Sequence, residues 1–383
     1  MIKANKKKII VLGGGMIGRV IAADLAAESL YAVTIADISA AEERGGEGID
    51  HRCIDLSDSN NVAGLVKNFD LVVGALPSQM GYATMKAVIE AGKDYCDISF
   101  MEEDALELDG LAKENGVTVV FDCGVGPGVS NALVGYADQY LDHTESVEIY
   151  VGGLPVERRW PFEYKAAFAS SDVINEYMRP ARFIENGEVV VREALSEPEL
   201  IDFDGVGTLE AFNTDGLRSL LTTIDAPQRK EKTMRYPGHI ELMRVLRHVG
   251  YFSEEKISVG VEGNRVSPLE LTSALLFPKW RYDEDEADLT VMRIIVSGTK
   301  GGEAHRFQWD LHDRYDSKKK QTSMARTTGF PAAIVSRMMV EGLFRKNGVQ
   351  APEALAVEDG LVEMLLGELG ERGVRYQQEI IKG

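Results

Sequence analysis

Cysteine is scarce here. There are three in 383 residues, Cys53, Cys96 and Cys123, with no C-x-x-C pair and no metal-ligand spacing. That scarcity argues against a disulfide framework and reads as reduced thiols in a cytoplasmic chain. Long apolar runs are also missing, so nothing approaches the ~18–20 residues that a membrane-spanning helix needs. Lys6-Lys7-Lys8 precedes an apolar run of only about four residues, too short for a secretory leader. Positive charge is the third deficit. The 42 Lys and Arg stand against 61 Asp and Glu, a net charge of −19, which argues against nucleic acid or an anionic membrane as partner. The histidines show no ligand spacing, so no metal is expected.

What is present is an ordinary globular composition, 44% hydrophobic and 27% charged, on a chain longer than one domain usually holds. Residues 8 to about 125 alternate strand and helix signals. Apolar runs at Ile9–Leu12, Val33–Ala36, Leu71–Gly74 and Val117–Phe121 are separated by helical stretches near 16–28, 60–67, 80–91 and 102–114. That alternation predicts a Rossmann-type doubly wound parallel sheet over residues 1–125. Beyond it, strands alternate with period two or come in pairs, as at 182–185 and 189–192 around Asn186-Gly187, a hairpin turn. A second pair at 289–297 and 303–311 flanks Gly298–Gly302. The prediction for 126–325 is an α+β substrate domain with a mainly antiparallel sheet. A helical segment, 326–383, is expected to pack back on the first domain, with one helix stopping at Gly348.

Gly13-Gly14-Gly15-Met16-Ile17-Gly18 fits G-x-G-x-x-G. Gly13 makes a tight turn, Gly15 lets a pyrophosphate approach the backbone, and Gly18 lets helix and strand pack closely. Free N–H groups at Met16 and Ile17 would face the phosphates. Asp37 lies about 20 residues on, at the end of the second strand, where a carboxylate binds ribose hydroxyls and repels a 2′-phosphate. NAD is therefore favoured over NADP, with Arg44 keeping NADP open. Asp55 ends the third strand, near the adenosine. The loops Ala75-Leu76-Pro77, Tyr95–Ser99 (with Ile98) and Phe121–Asn131 (with Val125 and Pro127) fall at strand ends along the same sheet edge, where ligands bind.

Several ordered segments follow: "GVGPGVSN" at 124–131, "GGLPV" at 152–156, "PFEY" at 161–164, "LEAFNTDG" at 209–216, "MRYPGH" at 234–239 and "SMARTTG" at 323–329. With the fingerprint and Asp37, this set resembles the saccharopine dehydrogenase family, and within it the lysine 6-dehydrogenase branch, over nearly the whole chain. The resemblance implies nicotinamide-linked oxidation of the side-chain amine of L-lysine, or of a close diamine or amino acid, to an aldehyde that cyclises to an imine. It also implies a homodimer or larger homo-oligomer. The alternative within the family is a saccharopine- or carboxynorspermidine-type enzyme acting on a secondary amine. An alternative of another class is a non-catalytic NAD-binding sensor or scaffold. Asn131 stands where saccharopine-type reductases carry an acidic residue. Arg158 and Arg159 are more basic than lysine 6-dehydrogenase leads one to expect, and would suit a second carboxylate.

Amine oxidation needs a general base, while the hydride chemistry belongs to the cofactor. His239 suits the role by its ordinary pKa, and a place at a helix start would keep it neutral. Asp97 and Asp122, at predicted strand ends, are alternative bases or amine-holding groups. Arg235 is the candidate for gripping a substrate carboxylate. Tyr164, Thr214 and Asp215 lie in the matched segments and would line the substrate side, though Asp215-Gly216 also reads as a turn. Cys123 is assigned no role, because no activating base is identifiable.

Overall fold

Strand β1 (Lys7–Leu12) is fully buried from Ile9 onward, as the continuous apolar run of a parallel strand covered on both faces requires. It leads into α1 (Met16–Ala26), β2 (Tyr31–Asp37) and β3 (Ile49–Cys53). Then come α2 (Ser59–Val66), β4 (Leu71–Gly74), α3 (Ser78–Glu90), β5 (Asp94–Asp97), α4 (Asp109–Asn115), β6 (Thr118–Val120) and α5 (Val129–Tyr140). The computed structural model describes residues 6–39, 48–260 and 263–383; Arg44 lies outside them. The helix expected over 102–114 is broken. Asp104 caps a 3₁₀ turn at Ala105–Leu108 by accepting from the Leu106 N–H, and α4 starts only at Asp109.

The chain continues through a second set of elements, beginning with β7 (His143–Pro155) and α6 (Ser170–Met178). Strands β8 (Ala181–Glu185) and β9 (Glu188–Arg192) form the expected hairpin. Asn186 and Gly187 have φ of 52° and 83°, the positive pair that Asn-Gly supplies to a type I′ turn. Next are β10 (Glu199–Phe203), β11 (Gly207–Asn213), α7 (Leu220–Thr223), β12 (Gln228–Arg235) and α8 (His239–Val249). They are followed by β13 (Ile257–Val259), β14 (Asn264–Val266), α9 (Pro268–Trp280), β15 (Asp288–Lys300) and β16 (Glu303–Arg314). The β15–β16 turn is tighter than expected. Gly298 stays inside β15 at a bulge, paired with Thr144, where a Cβ would strike the His143 carbonyl.

After α10 (Ser323–Val340) come β17 (Gly348–Gln350), α11 (Leu361–Glu371) and β18 (Tyr376–Lys382). Gly348 does not stop a helix. It opens β17 with φ of 113° and places that strand parallel to β6. Seven strands form the first sheet in the order β17-β6-β5-β4-β1-β2-β3, and all its neighbouring strands pair in parallel. The second sheet runs β10-β11-β12-β7-β15-β16-β18, with the β8–β9 hairpin attached to β12. It is mixed, because β12 and β7 pair in parallel while its other registered pairs are antiparallel. The chain divides into two compact units, one of residues 1–140 and 325–376, the other of residues 141–324 and 377–383. Each has its own core, around Ile10, Val72, Val88 and Val119 in the first and around Tyr177, Phe212, Met243 and Trp280 in the second. No described helix is long and apolar enough to cross a membrane.

Candidate active site

In the first unit, the glycines of the fingerprint differ in what surrounds them. Gly13 has φ of 102°, and a Cβ there would collide with the Ala75 carbonyl. A Cβ at Gly18 would strike the carbonyl of Gly13. Gly15, by contrast, has nothing among the described residues, chain neighbours aside, within 4 Å of where its Cβ would stand. It is the N-cap of α1 with no side-chain capping bond and no acidic residue in the first turn. An uncapped helix start beside an open glycine suits a pyrophosphate. Asp37 ends β2, accepting from the Gly14 N–H (2.7 Å) and the Ser39 N–H (2.9 Å). It thereby ties the glycine loop to the strand end on which ribose would be read. These residues fit a nicotinamide dinucleotide. Asp55 lies two residues beyond β3, exposed, with its pKa lowered by Ser57.

The other predicted loops sit at the carboxyl ends of β4, β5 and β6. The Ala75 N–H donates to the Leu12 carbonyl, and the Ile98 N–H to the Gly74 carbonyl, so both loops are laced to the sheet. Leu76 is half-buried and Pro77 is exposed; Val125 is buried and Pro127 is half-buried. Asp97 is wholly buried. It accepts from the Tyr95 hydroxyl at 2.9 Å, from the Ser99 N–H at 3.2 Å and from the Ser99 hydroxyl. Burial pushes its pKa up to about 7, and the charge of Asp122 adds to the rise while the Ser99 and Tyr95 hydrogen bonds oppose it. Asp122 is buried too, at φ of 50°, a left-handed conformation uncommon for a non-glycine residue. The charge of Asp122 acts on Asp97, so the two strand-end carboxyl groups lie within electrostatic reach of each other. Cys123 is buried, and its hydrogen bond with Cys96 together with burial raises its pKa, which makes it a poor nucleophile.

In the second unit, the predicted substrate residues converge on one face of β12. Period-two alternation puts Glu231, Thr233 and Arg235 on the same side. Arg235 is 3% exposed. It donates to the Tyr177 hydroxyl (3.2 Å), the Met234 carbonyl (3.0 Å) and Glu176 (3.2 Å), and it stacks over Tyr164 at 4.6 Å. His239 is the first residue of α8, as the sequence suggests, but both ring nitrogens are engaged. Nδ1 lies 2.9 Å from the Phe162 carbonyl, which can only accept, so Nδ1 carries the proton. Nε2 then accepts from Tyr177 at 2.9 Å. Burial, more than the helix start, holds His239 neutral, pushing its pKa down to about 3 with help from the Arg235 charge. In this geometry it orients Tyr177.

Thr214 is bonded to Glu231 (2.8 Å) and Thr233 (2.9 Å). Asp215 holds Arg182 through two parallel bonds of 2.9 and 2.7 Å. Tyr164 packs against His239 and Trp280, with ring centroids 4.8 and 5.4 Å away. Arg158 pairs with Glu163 and lies over Tyr236, while Arg159 pairs with Glu157 and Asp283. The sequence reading passed over Tyr177, Glu176 and Glu231. Glu231 was findable, because it stands in register with Arg235 two steps back along a strand; Tyr177 and Glu176 come from α6, outside the quoted segments.

Two family models match in tandem. Residues 9–120 match the saccharopine dehydrogenase NADP binding domain, and residues 124–374 the saccharopine dehydrogenase C-terminal domain. Among curated proteins, the chain is 24% identical to a carboxyaminopropylagmatine dehydrogenase from Synechocystis sp., with 98% of each chain covered. It is 23% identical to a saccharopine dehydrogenase (NADP(+), L-glutamate-forming) from Schizosaccharomyces pombe, covering 86% of this chain and 88% of that one. The structure of apo saccharopine dehydrogenase (L-Glu forming) from Saccharomyces cerevisiae shares the fold, with a TM-score of 0.79 at 18% identity over 98% of this chain and 100% of that one.

Proposed function

The chain belongs to the saccharopine dehydrogenase family, and from that premise we propose an amine dehydrogenase for substrates with one carboxylate, the side-chain amine of L-lysine first among them. The family's oxidoreductases act on the C–N bonds of amino-acid-derived amines. A bound nicotinamide supplies the hydride acceptor; substrate recognition and proton handling fall to the protein. The observation that carries the single-carboxylate reading is the state of Arg158 and Arg159. Both are exposed and pair with carboxylates of the chain itself, so a second substrate carboxylate would have to compete with those pairs.

A secondary amine substrate is the second reading, favoured by the names of the two relatives above. The two separate in one assay. The purified chain is incubated with NAD or NADP and either lysine, ornithine, saccharopine or a carboxyalkyl diamine, and reduced cofactor is followed by absorbance. Turnover of lysine with none of saccharopine is expected. Saccharopine turning over faster than lysine would reverse the order, and no turnover of any amine would remove both.

For the cofactor, the proposal is NAD, on the strength of Asp37. Replacing Asp37 by serine is expected to raise the KM for NAD about tenfold or more and to lower that for NADP, since a carboxylate beside a 2′-phosphate is repelled. Steady-state kinetics with both cofactors measure it. A wild-type preference for NADP, as the name of the matched domain suggests, would overturn the assignment.

A further inference from the structure

Three hydrogen bonds in the second unit join four side chains in a row. Glu231 Oε2 lies 2.8 Å from Thr214 Oγ1, Thr214 Oγ1 lies 2.9 Å from Thr233 Oγ1, and Thr233 Oγ1 lies 2.5 Å from Glu176 Oε1. Each link is oxygen to oxygen and needs one proton between its ends. The two threonine hydroxyls supply two protons. The Thr233 N–H that also reaches Thr214 occupies an acceptor site and adds nothing to the oxygen links. One carboxyl group at an end of the row must provide the third.

The two ends are unequal. Glu176 pairs with the Arg235 guanidinium at 3.2 Å, and the 2.5 Å bond from Thr233 is as short as expected for a hydroxyl donating to a carboxylate. Glu231 is 4% exposed, and its remaining partner is the Gly216 N–H. The largest charge effects on it come from Glu176 and Asp215, both acidic and each already paired, with Arg235 and Arg182. Gly216 approaches so closely that a Cβ there would run into the Glu231 carboxyl. A buried carboxylate among acids is costly, and its protonated form is favoured.

We propose that Glu231 carries a proton at neutral pH and that Thr214 and Thr233 form a relay passing this proton to Glu176 beside Arg235. In one passage the O–H bonds of Glu231, Thr214 and Thr233 break, and new ones form on Thr214, Thr233 and Glu176. The negative charge moves from Glu176 to Glu231, and nothing is gained or lost. Resting on the amine-oxidation reading, Glu176 is the end that exchanges with substrate: as a carboxylate it takes the proton a substrate ammonium loses, and after receiving the Glu231 proton through the relay it returns one to a neutral amine. Burial, aided by the charges of Glu176 and Asp215, lifts the Glu231 pKa to about 8, with the Gly216 N–H opposing the rise.

The test begins without substrate. Infrared spectra of the full chain at pH 7 should contain a protonated-carboxyl component that is lost in Glu231→Gln, while the contribution of Asp97, whose pKa is pushed up to about 7, remains. The melting temperature gives a second readout. A carboxyl protonated when folded but ionised when unfolded loses stability as pH rises from about 5 to 8. Wild type should therefore fall several degrees relative to Glu231→Gln across that window, with the two alike near pH 4. The same band and the same slope in both proteins would overturn the proton assignment. Thr214→Val keeps the shape and removes the middle of the relay. It should lower kcat tenfold or more and shift its pH profile, with KM little changed, and an unchanged profile would overturn the relay. Should the band and the slope behave as expected while no amine turns over, the Glu231 assignment stands and the enzyme reading fails.

Discussion

Replacing Arg235 by alanine is expected to destabilise the second unit by about 3–5 kcal/mol, the usual cost of breaking a buried ion pair from one side. The side chain is the hub of its cluster. Its loss leaves the Glu176 carboxylate held by Thr233 alone, removes the donor to Tyr177, and opens a void beneath Tyr164. With His239 bonded to the same Tyr177 hydroxyl that Arg235 meets, the disturbance should reach the start of α8. A loss of that size corresponds to a fall of about 10 °C in melting temperature for a unit of this length. Arg235→Lys should recover part of the stability, because it restores the charge without the planar fork that reaches Tyr177, Met234 and Glu176 together. Calorimetry on the three proteins decides it. A fall of under 3 °C in Arg235→Ala would mean that Glu176 finds another partner and that the hub is dispensable.

That hub shows where the sequence could be read and where it could not. The dinucleotide side was legible because its signals are local. A strand, three spaced glycines and Asp37 lie within about thirty residues, and each glycine's role depends on its immediate neighbours. Asn186-Gly187 was legible for the same reason. Arg235, Thr214 and His239 were picked out as residues, but their roles depend on partners from distant segments. Tyr177 and Glu176 arrive on α6, and Phe162 on a loop, nearly eighty positions from His239. The expectation that a helix start keeps His239 neutral reached the right state through the smaller cause, since burial in an aromatic cage does most of it. Strands β17 and β18 escaped notice. One is three residues long, and the other, YQQEIIK, is exposed almost throughout and has no period-two pattern. Both are recruited by a pre-existing sheet edge, a tertiary fact that local propensity does not encode.

Replacing Gly15 by valine should weaken dinucleotide binding by about 100-fold or more, a loss of about 2.7 kcal/mol, while leaving the fold intact. The two halves of that expectation come from different observations. Among the described residues, chain neighbours aside, nothing lies within 4 Å of a Cβ at Gly15, and its φ of −69° is open to any residue, so the folded chain should meet only a capping penalty of about 1 kcal/mol. The space the new side chain fills is the space a pyrophosphate needs in order to reach the N–H groups at the start of α1. Gly18→Val is the contrasting variant. Its Cβ meets the Gly13 carbonyl, backbone that cannot move aside, so it should lose stability and binding together. Isothermal titration with NAD and NADP, paired with a melting curve, separates the two. Gly15→Val that melts like wild type yet binds dinucleotide normally would show that the pyrophosphate does not lie over this glycine, and the cofactor site would have to be sought elsewhere along the sheet edge.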